Sequence, residues 1–141
     1  MDMYSAFQIS AAGMNVERMR LDVSATNLAN ANTTRGPDGT LFRPLQLIAT
    51  PGGPFAAMLD RYADPSQPNV EVRPVNTPPR QVYDPGHPDA DDRGYVSYPA
   101  VNPVSEMIRL IEITRAYDAN VRAMNAAKSM AMKALDIGGE R

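Results

Sequence analysis

The sequence predicts a mainly α protein with a small β insert. Two long terminal helices, packed as an antiparallel, coiled-coil-like pair, are joined by a Pro/Gly-rich β/loop unit. Three observations lead there. All 13 prolines lie between Pro37 and Pro103. Proline removes a backbone donor and clashes inside a helix, so the ends are free to be helical and the middle is not. Six of the nine glycines fall between Gly36 and Gly94. Both ends space their apolar residues in alternating steps of three and four, the period of a helical seam. The expected division is 1–34 for an N-terminal helix and the turn after it, 35–101 for the insert, and 102–141 for a C-terminal helix.

The first helix is expected to start near Ser5, where "SAFQ" fits a capping box closed by Gln8, and to end near Asn30. Phe7, Ala11, Met14, Arg18, Leu21, Ala25 and Leu28 form one seam. Ile9, Val16 and Val23 form a second row about 200° away at 100° per residue. This helix is therefore apolar on two nearly opposite sides. The insert offers short strands at 41–49, 69–75, 80–83 and 94–98. Pro44 and Pro74 confine theirs to edges or bulges. The stretch between the first two strands reads as a loop with one helical turn at Ala56–Tyr62.

The last helix has Asn102 as its N-cap and Pro103 at its first position, with Gly138 and Gly139 as its stop. Met107, Leu110, Thr114, Tyr117, Val121, Met124, Lys128, Ala131 and Leu135 form its seam. A small-residue row, Ile113, Ala116, Asn120, Ala123, Ala127, Met130, Ala134 and Ile137, lies beside it. Helices that are apolar on more than one side need more than one partner; the pattern fits an intramolecular helical hairpin with a β cap and, equally, an assembling subunit whose helices pack together and against neighbours.

Composition removes several function classes. With 14 Lys plus Arg against 16 Asp plus Glu, the net charge is -2, and no nucleic-acid partner is expected. Lys128 and Lys133 are the only lysines, too few for a polybasic membrane patch. Cysteine is absent, which excludes disulfides and thiolate chemistry. The opening "MDMYSAFQIS" lacks the basic-then-apolar pattern of a cleaved leader, and no run reaches the roughly 18 apolar residues of a membrane span.

One stretch suggests chemistry. "YDPGHPDADDRGY" (83–95) holds the only histidine, His87, among Asp84, Asp89, Asp91 and Asp92. A metal-dependent hydrolase using His87 with Asp84, Asp89 and Asp91 is the reading to weigh. Against it, no second histidine exists, Pro85, Gly86 and Pro88 impose turns, and aspartates in such company are ordinary turn formers. The acid spacing also misses the EF-hand order. The stretch reads better as a turn-rich connector leading back to Asn102, whose aspartates bond local amides. Neither a metal nor another cofactor is expected. A coiled-coil adaptor is a further class that fits the helices alone.

Three motifs resemble one family. "SATNLANANTT" (24–34) is similar to the SxxNLANxxT signature of the bacterial flagellar rod and hook proteins, with Ser24, Asn27, Leu28, Ala29, Asn30 and Thr33 at the matching positions. The stretch 106–138, with "RAYDANV" and "KALDIG", resembles the family's closing helix, apart from Asp118 where an amide or Glu is usual. "VYDPGHPDAD" (82–91) resembles the insert of the proximal-rod members, which makes Asp84, Pro85, Gly86, His87, Pro88 and Asp89 a signature turn. Residues 35–81 match only loosely.

The resemblance implies an axial structural protein without catalysis, exported uncleaved through the flagellar type III system. It implies a helical tube across the periplasm that transmits torque and encloses the export channel. Implied partners are other copies, other rod subunits, and proteins of the basal-body base and export apparatus. In that picture the terminal helices form an inner layer and the insert an outer domain. The expected subunit interface is Phe7, Met14, Leu21, Asn27, Leu28 and Asn30 on the first helix. On the last it is Met107, Leu110, Tyr117, Val121, Met124 and Leu135. Asn27 and Asn30 can bond the last carbonyls of their helix and redirect the chain, or bond a neighbour. Tyr117 is expected in a core with its hydroxyl at an interface.

Overall fold

The computed structural model describes residues 3–49 and 70–139. In chain order it forms α1 (Met3–Ala29), β1 (Leu45–Ala49), β2 (Val70–Pro74), β3 (Arg80–Tyr83), β4 (Tyr95–Tyr98) and α2 (Pro103–Gly139). The helical turn expected at Ala56–Tyr62 lies outside the described residues.

Helix α1 begins at Met3, so Ser5 is not its N-cap but lies within it. Nothing in "MYSAF" breaks a helix, and the helical backbone extends two residues beyond the expected start. Its end falls within one residue of the expected one. Asn30 bonds the Thr26 carbonyl twice, through its backbone N–H at 3.1 Å and its side-chain Nδ2 at 2.9 Å. The side-chain donor adds a second bond to a last-turn carbonyl, which has two lone pairs to share.

Helix α2 starts as expected. The Asn102 Oδ1 accepts from the N–H groups of Val104 at 3.0 Å and Ser105 at 3.3 Å, with Pro103 at the first helical position. Its end differs from the expectation. Gly138 and Gly139 do not stop the helix, which includes both. At 37 residues it is roughly 55 Å long.

The strands pair as two separate two-stranded sheets, β1 with β2 and β3 with β4. The expected strand 41–49 shortens to Leu45–Ala49, beginning after Pro44, and Pro74 closes β2. At those ends a missing N–H costs no ladder bond. Strands β3 and β4 are antiparallel, with Arg80 opposite Tyr98, Val82 opposite Val96 and Tyr83 opposite Tyr95. The stretch 84–94 closes this hairpin rather than leading straight back to Asn102. Gly94 has φ +81°, and a Cβ there would meet the Tyr83 ring at 2.9 Å and the Pro85 Cβ at 3.2 Å. Only glycine fits that turn.

The described residues gather into two compact units. One combines 3–20, 49, 70–71 and 112–139, and the other Leu21–Ile48 with Val72–Ile111. In the first, the buried residues are Ser10, Ala12, Glu17, Ile113 and Ala127. The two helices pack together there, and at Gly13 an added Cβ would stand 2.9 Å from the Asn120 Nδ2. In the second, Ser24, Asn27, Ala31, Val96, Pro99, Val101 and Glu106 are buried. The largest fully buried side chains are only Val96, Asn27 and Pro99. Most other large apolar side chains among the described residues are half-buried or exposed.

Candidate assembly surface

On α1 the buried row is Ser10, Glu17, Ser24 and Asn27, with half-buried Gly13 among them. It has the alternating three-and-four spacing expected of a seam, but it is the small and polar row. The predicted apolar seam flanks it instead. Phe7, Met14 and Leu28 are half-buried and Leu21 is exposed. On the other flank Val16 and Val23 are half-buried and Ile9 is exposed. The inward row is thus the one whose side chains allow the closest backbone approach, with an apolar row left on each side.

On α2 the residues Glu106, Ile113, Asn120 and Ala127, seven apart, form the most enclosed row. This overlaps the predicted small-residue row more than the predicted seam. Of the seam, Leu110, Val121 and Met124 are half-buried, while Met107, Tyr117 and Leu135 are exposed, Leu135 by 71%. Tyr117 is therefore a surface residue and not a core one.

Sequence reasoning missed a second apolar stripe on α2. Val104, Ile108 and Ile111, with Met107 beside them, are 60%, 53%, 55% and 47% exposed. At 100° per residue they lie about 180° from the Glu106–Ala127 row. Their i, i+4, i+7 spacing is itself the signal of an apolar helix face. It is only two turns long, and the longer seam overshadowed it.

Asn27 and the signature turn belong to the second unit and work inside it. Asn27 is 2% exposed. Its Oδ1 accepts from the Leu45 N–H at 2.8 Å and its Nδ2 donates to the Leu45 carbonyl at 2.9 Å. The amide stands in for a neighbouring strand at the first residue of β1. It redirects the chain by holding the start of β1 against the last turns of α1, and Asn30 does the capping.

In the turn, the Asp84 Oδ1 accepts from the Gly86 N–H at 3.3 Å. The His87 Nδ1 accepts from the Asp89 N–H at 3.1 Å, and the Asp91 Oδ1 from the N–H groups of Arg93 at 2.9 Å and Tyr95 at 2.8 Å. These groups serve as turn formers, each bonding local backbone. Among the described residues no cluster of three or more His, Asp or Glu has the geometry of a metal site. Asp89 also reaches across to the loop after α1, accepting from the Thr34 Oγ1 at 2.8 Å and facing the Arg35 Nε at 3.4 Å. Two stretches 55 residues apart in the chain are joined through this one carboxylate. The His87 ring meets Tyr98 edge-on at 6.4 Å, and the Arg80 guanidinium lies 5.3 Å over the same tyrosine.

Among the described residues no helix is long and apolar enough to cross a membrane.

Comparison with known proteins matches both ends of the chain. A family model described as "Flagella basal body rod protein" matches residues 7–37, and "Flagellar basal body rod FlgEFG protein C-terminal" matches 92–137. The chain is 37% identical over 142 residues to the flagellar basal-body rod protein FlgC of Escherichia coli O157:H7, covering 98% of this chain and 99% of that protein. It is 38% identical over 149 residues to FlgC of Bacillus subtilis, covering 98% and 99%. It is 36% identical over 149 residues to FlgC of Borreliella burgdorferi, covering 97% and 98%.

Proposed function

The chain belongs to the FlgC family of flagellar basal-body rod proteins, and from that premise we infer how its two helices build a rod. It is a structural subunit of the flagellar basal body, which assembles with other rod and basal-body components. The finer reading is a proximal-rod subunit. In it α1 and α2 form an antiparallel, coiled-coil-like pair that polymerises into a helical tube. The tube encloses the export channel, crosses the periplasm and transmits torque. The subunit reaches it uncleaved through the flagellar type III system, and residues 35–101 form an outer domain.

One observation carries this reading: each helix turns its small and polar row inward and leaves apolar rows exposed on other sides. Solvent-exposed Leu21, Met107, Ile108 and Ile111 gain little in an isolated chain, whereas covering them by neighbours contributes roughly 1.5–3 kcal/mol for each large side chain fully buried. Interfaces packed to interior density deform little, which is what a torque-bearing shaft requires. The interface residues are those on the exposed and half-buried flanks: Phe7, Met14, Leu21, Leu28, Met107, Leu110, Tyr117, Val121, Met124 and Leu135.

The test is complementation of a strain lacking its own copy of this chain. Leu21→Asp and Val121→Asp are expected to leave the cells non-motile, with the variant absent from purified basal bodies. Motile cells carrying either change would rule out this interface.

A further inference from the structure

Each terminal helix carries one Glu-x-x-Arg step whose acid is buried, "ERMR" at 17–20 on α1 and "EMIR" at 106–109 on α2, whereas the acid of "EITR" at 112–115 is exposed. The two steps have the same geometry in separate units. The Arg20 Nη1 donates to the Glu17 Oε1 at 3.0 Å, and the Arg109 Nη1 to the Glu106 Oε1 at 2.7 Å. In both pairs the acid lies inside and the base outside. The side chains of Glu17 and Glu106 are 11% and 7% exposed, those of Arg20 and Arg109 53% and 61%. In both, the second carboxylate oxygen is buried with no partner among the described residues.

This is a costly way to make a surface ion pair. An exposed i,i+3 pair gains little, because water screens it and two long side chains must be ordered. Burying the carboxylate adds a desolvation cost that one hydrogen bond does not recover. What the arrangement achieves is order. A buried carboxylate holds an exposed guanidinium in one place, and one of its five N–H donors is used in doing so. A pre-ordered guanidinium loses less entropy on binding, and its planar fork matches a second carboxylate.

We propose that Arg20 and Arg109 are docking cations, held by Glu17 and Glu106, that bind carboxylates on a second copy of this chain. The occupant follows from charge complementarity. The same helices expose Asp22 on α1 and Glu112, Asp118 and Asp136 on α2, so each copy presents both halves of the contact. The inference rests on the self-assembly argued above and names the polar contacts of that surface.

The experiment uses the full chain in a strain lacking its own copy, and reads the amount of each variant in purified basal bodies by quantitative mass spectrometry. Arg20→Gln and Arg109→Gln are expected to lower incorporation at least about tenfold, the scale of a lost interfacial charge pair. Glu106→Gln is expected to lower it less, because the cation remains while its tether weakens. Circular dichroism of the purified variants is expected to match the unsubstituted chain. Charge reversal guards against a folding defect. Arg109→Glu is combined in turn with Asp22→Arg, Glu112→Arg, Asp118→Arg and Asp136→Arg, and at least one combination is expected to restore incorporation. Incorporation of Arg109→Gln within about twofold of the unsubstituted chain, or no restoring combination, overturns the proposal. If the unsubstituted chain itself is absent from basal bodies, the assembly reading falls, and the docking cations fall with it.

Discussion

Asn27 shows how one side chain ties the end of a helix to the start of a strand. An amide has both a donor and an acceptor, and here both are used on the backbone of Leu45, at 2.9 and 2.8 Å. No other uncharged side chain of that length offers the pair. Asn27→Ala is expected to leave a buried N–H and C=O of Leu45 without partners, at about 2 kcal/mol of local stability. Hydrogen exchange at the Leu45 amide measures it, and unchanged protection would contradict the role. Asp89 invites a different comparison. Its bond from Thr34 is 2.8 Å, whereas its ion pair is to an Arg35 side chain that is 67% exposed. Solvent screening makes that ion pair minor. Asp89→Asn, which keeps an acceptor for Thr34, is therefore expected to cost less than about 0.5 kcal/mol, and Asp89→Ala about 1 kcal/mol, in chemical denaturation. Equal losses would mean that the charge, not the hydrogen bond, joins the turn to the loop.

For helix α2 the relevant contrast is between its two faces. Ile113 is buried between the helices, and Ile108 sits on the outward stripe. Ile113→Asp is expected to unfold the chain, because an unpaired carboxylate would enter the packed row. Ile108→Asp is expected to leave the circular dichroism spectrum and melting of the isolated chain unchanged while abolishing entry into basal bodies. Loss of folding in Ile108→Asp would place that residue in the core and remove the outward stripe from the interface. Much of this element was legible in the sequence. Asn102 and Pro103 mark its start through local backbone chemistry, and proline distribution confines the strands to the middle. Its faces were less legible. A heptad alternation says that a helix has a seam but not which of two adjacent rows turns inward. The inward rows mix small residues, such as Gly13 against Asn120, with Glu17, Asn27, Glu106 and Ile113, a combination that no apolar period marks. Nor does periodicity reveal that Glu17 and Glu106 are buried, since charged residues in a row normally mark its solvated side. The Asn27 bond to Leu45 joins residues in different elements, and no local pattern encodes it. The histidine-and-aspartate stretch was legible for the converse reason: its residue types suggested ligands, but the local positions of Pro85, Gly86 and Pro88 already marked Asp84, His87 and Asp91 as turn formers, which bond local backbone.

At the level of the whole chain, the two units differ in what holds each together. The one formed by Leu21–Ile48 and Val72–Ile111 has Val96, Pro99 and Val101 in its interior, the Asn27 pairing, the Asp89 clasp and the β3–β4 ladder. The one containing 3–20 and 112–139 has among its described residues Ala12, Ile113 and Ala127 as its buried apolar side chains, two of them alanines. Isolated helices are marginal in water, and most helical stability in proteins comes from burying an apolar face. Here the larger faces, with Ile9, Met130 and Leu135, are exposed in the single chain. Amide exchange on dilute full-length chain is therefore expected to show slower exchange in 21–48 and 72–111 than in 3–20 and 112–139. The difference arises because, among the described residues, the buried apolar side chains of the second group are small ones apart from Ile113. Helicity by far-UV circular dichroism is expected to rise with protein concentration, as neighbours cover the remaining rows and mass action favours the ordered state. Uniform protection together with concentration-independent helicity would mean that the single chain already satisfies its helices. The exposed rows would then have to serve something other than completing the fold through assembly.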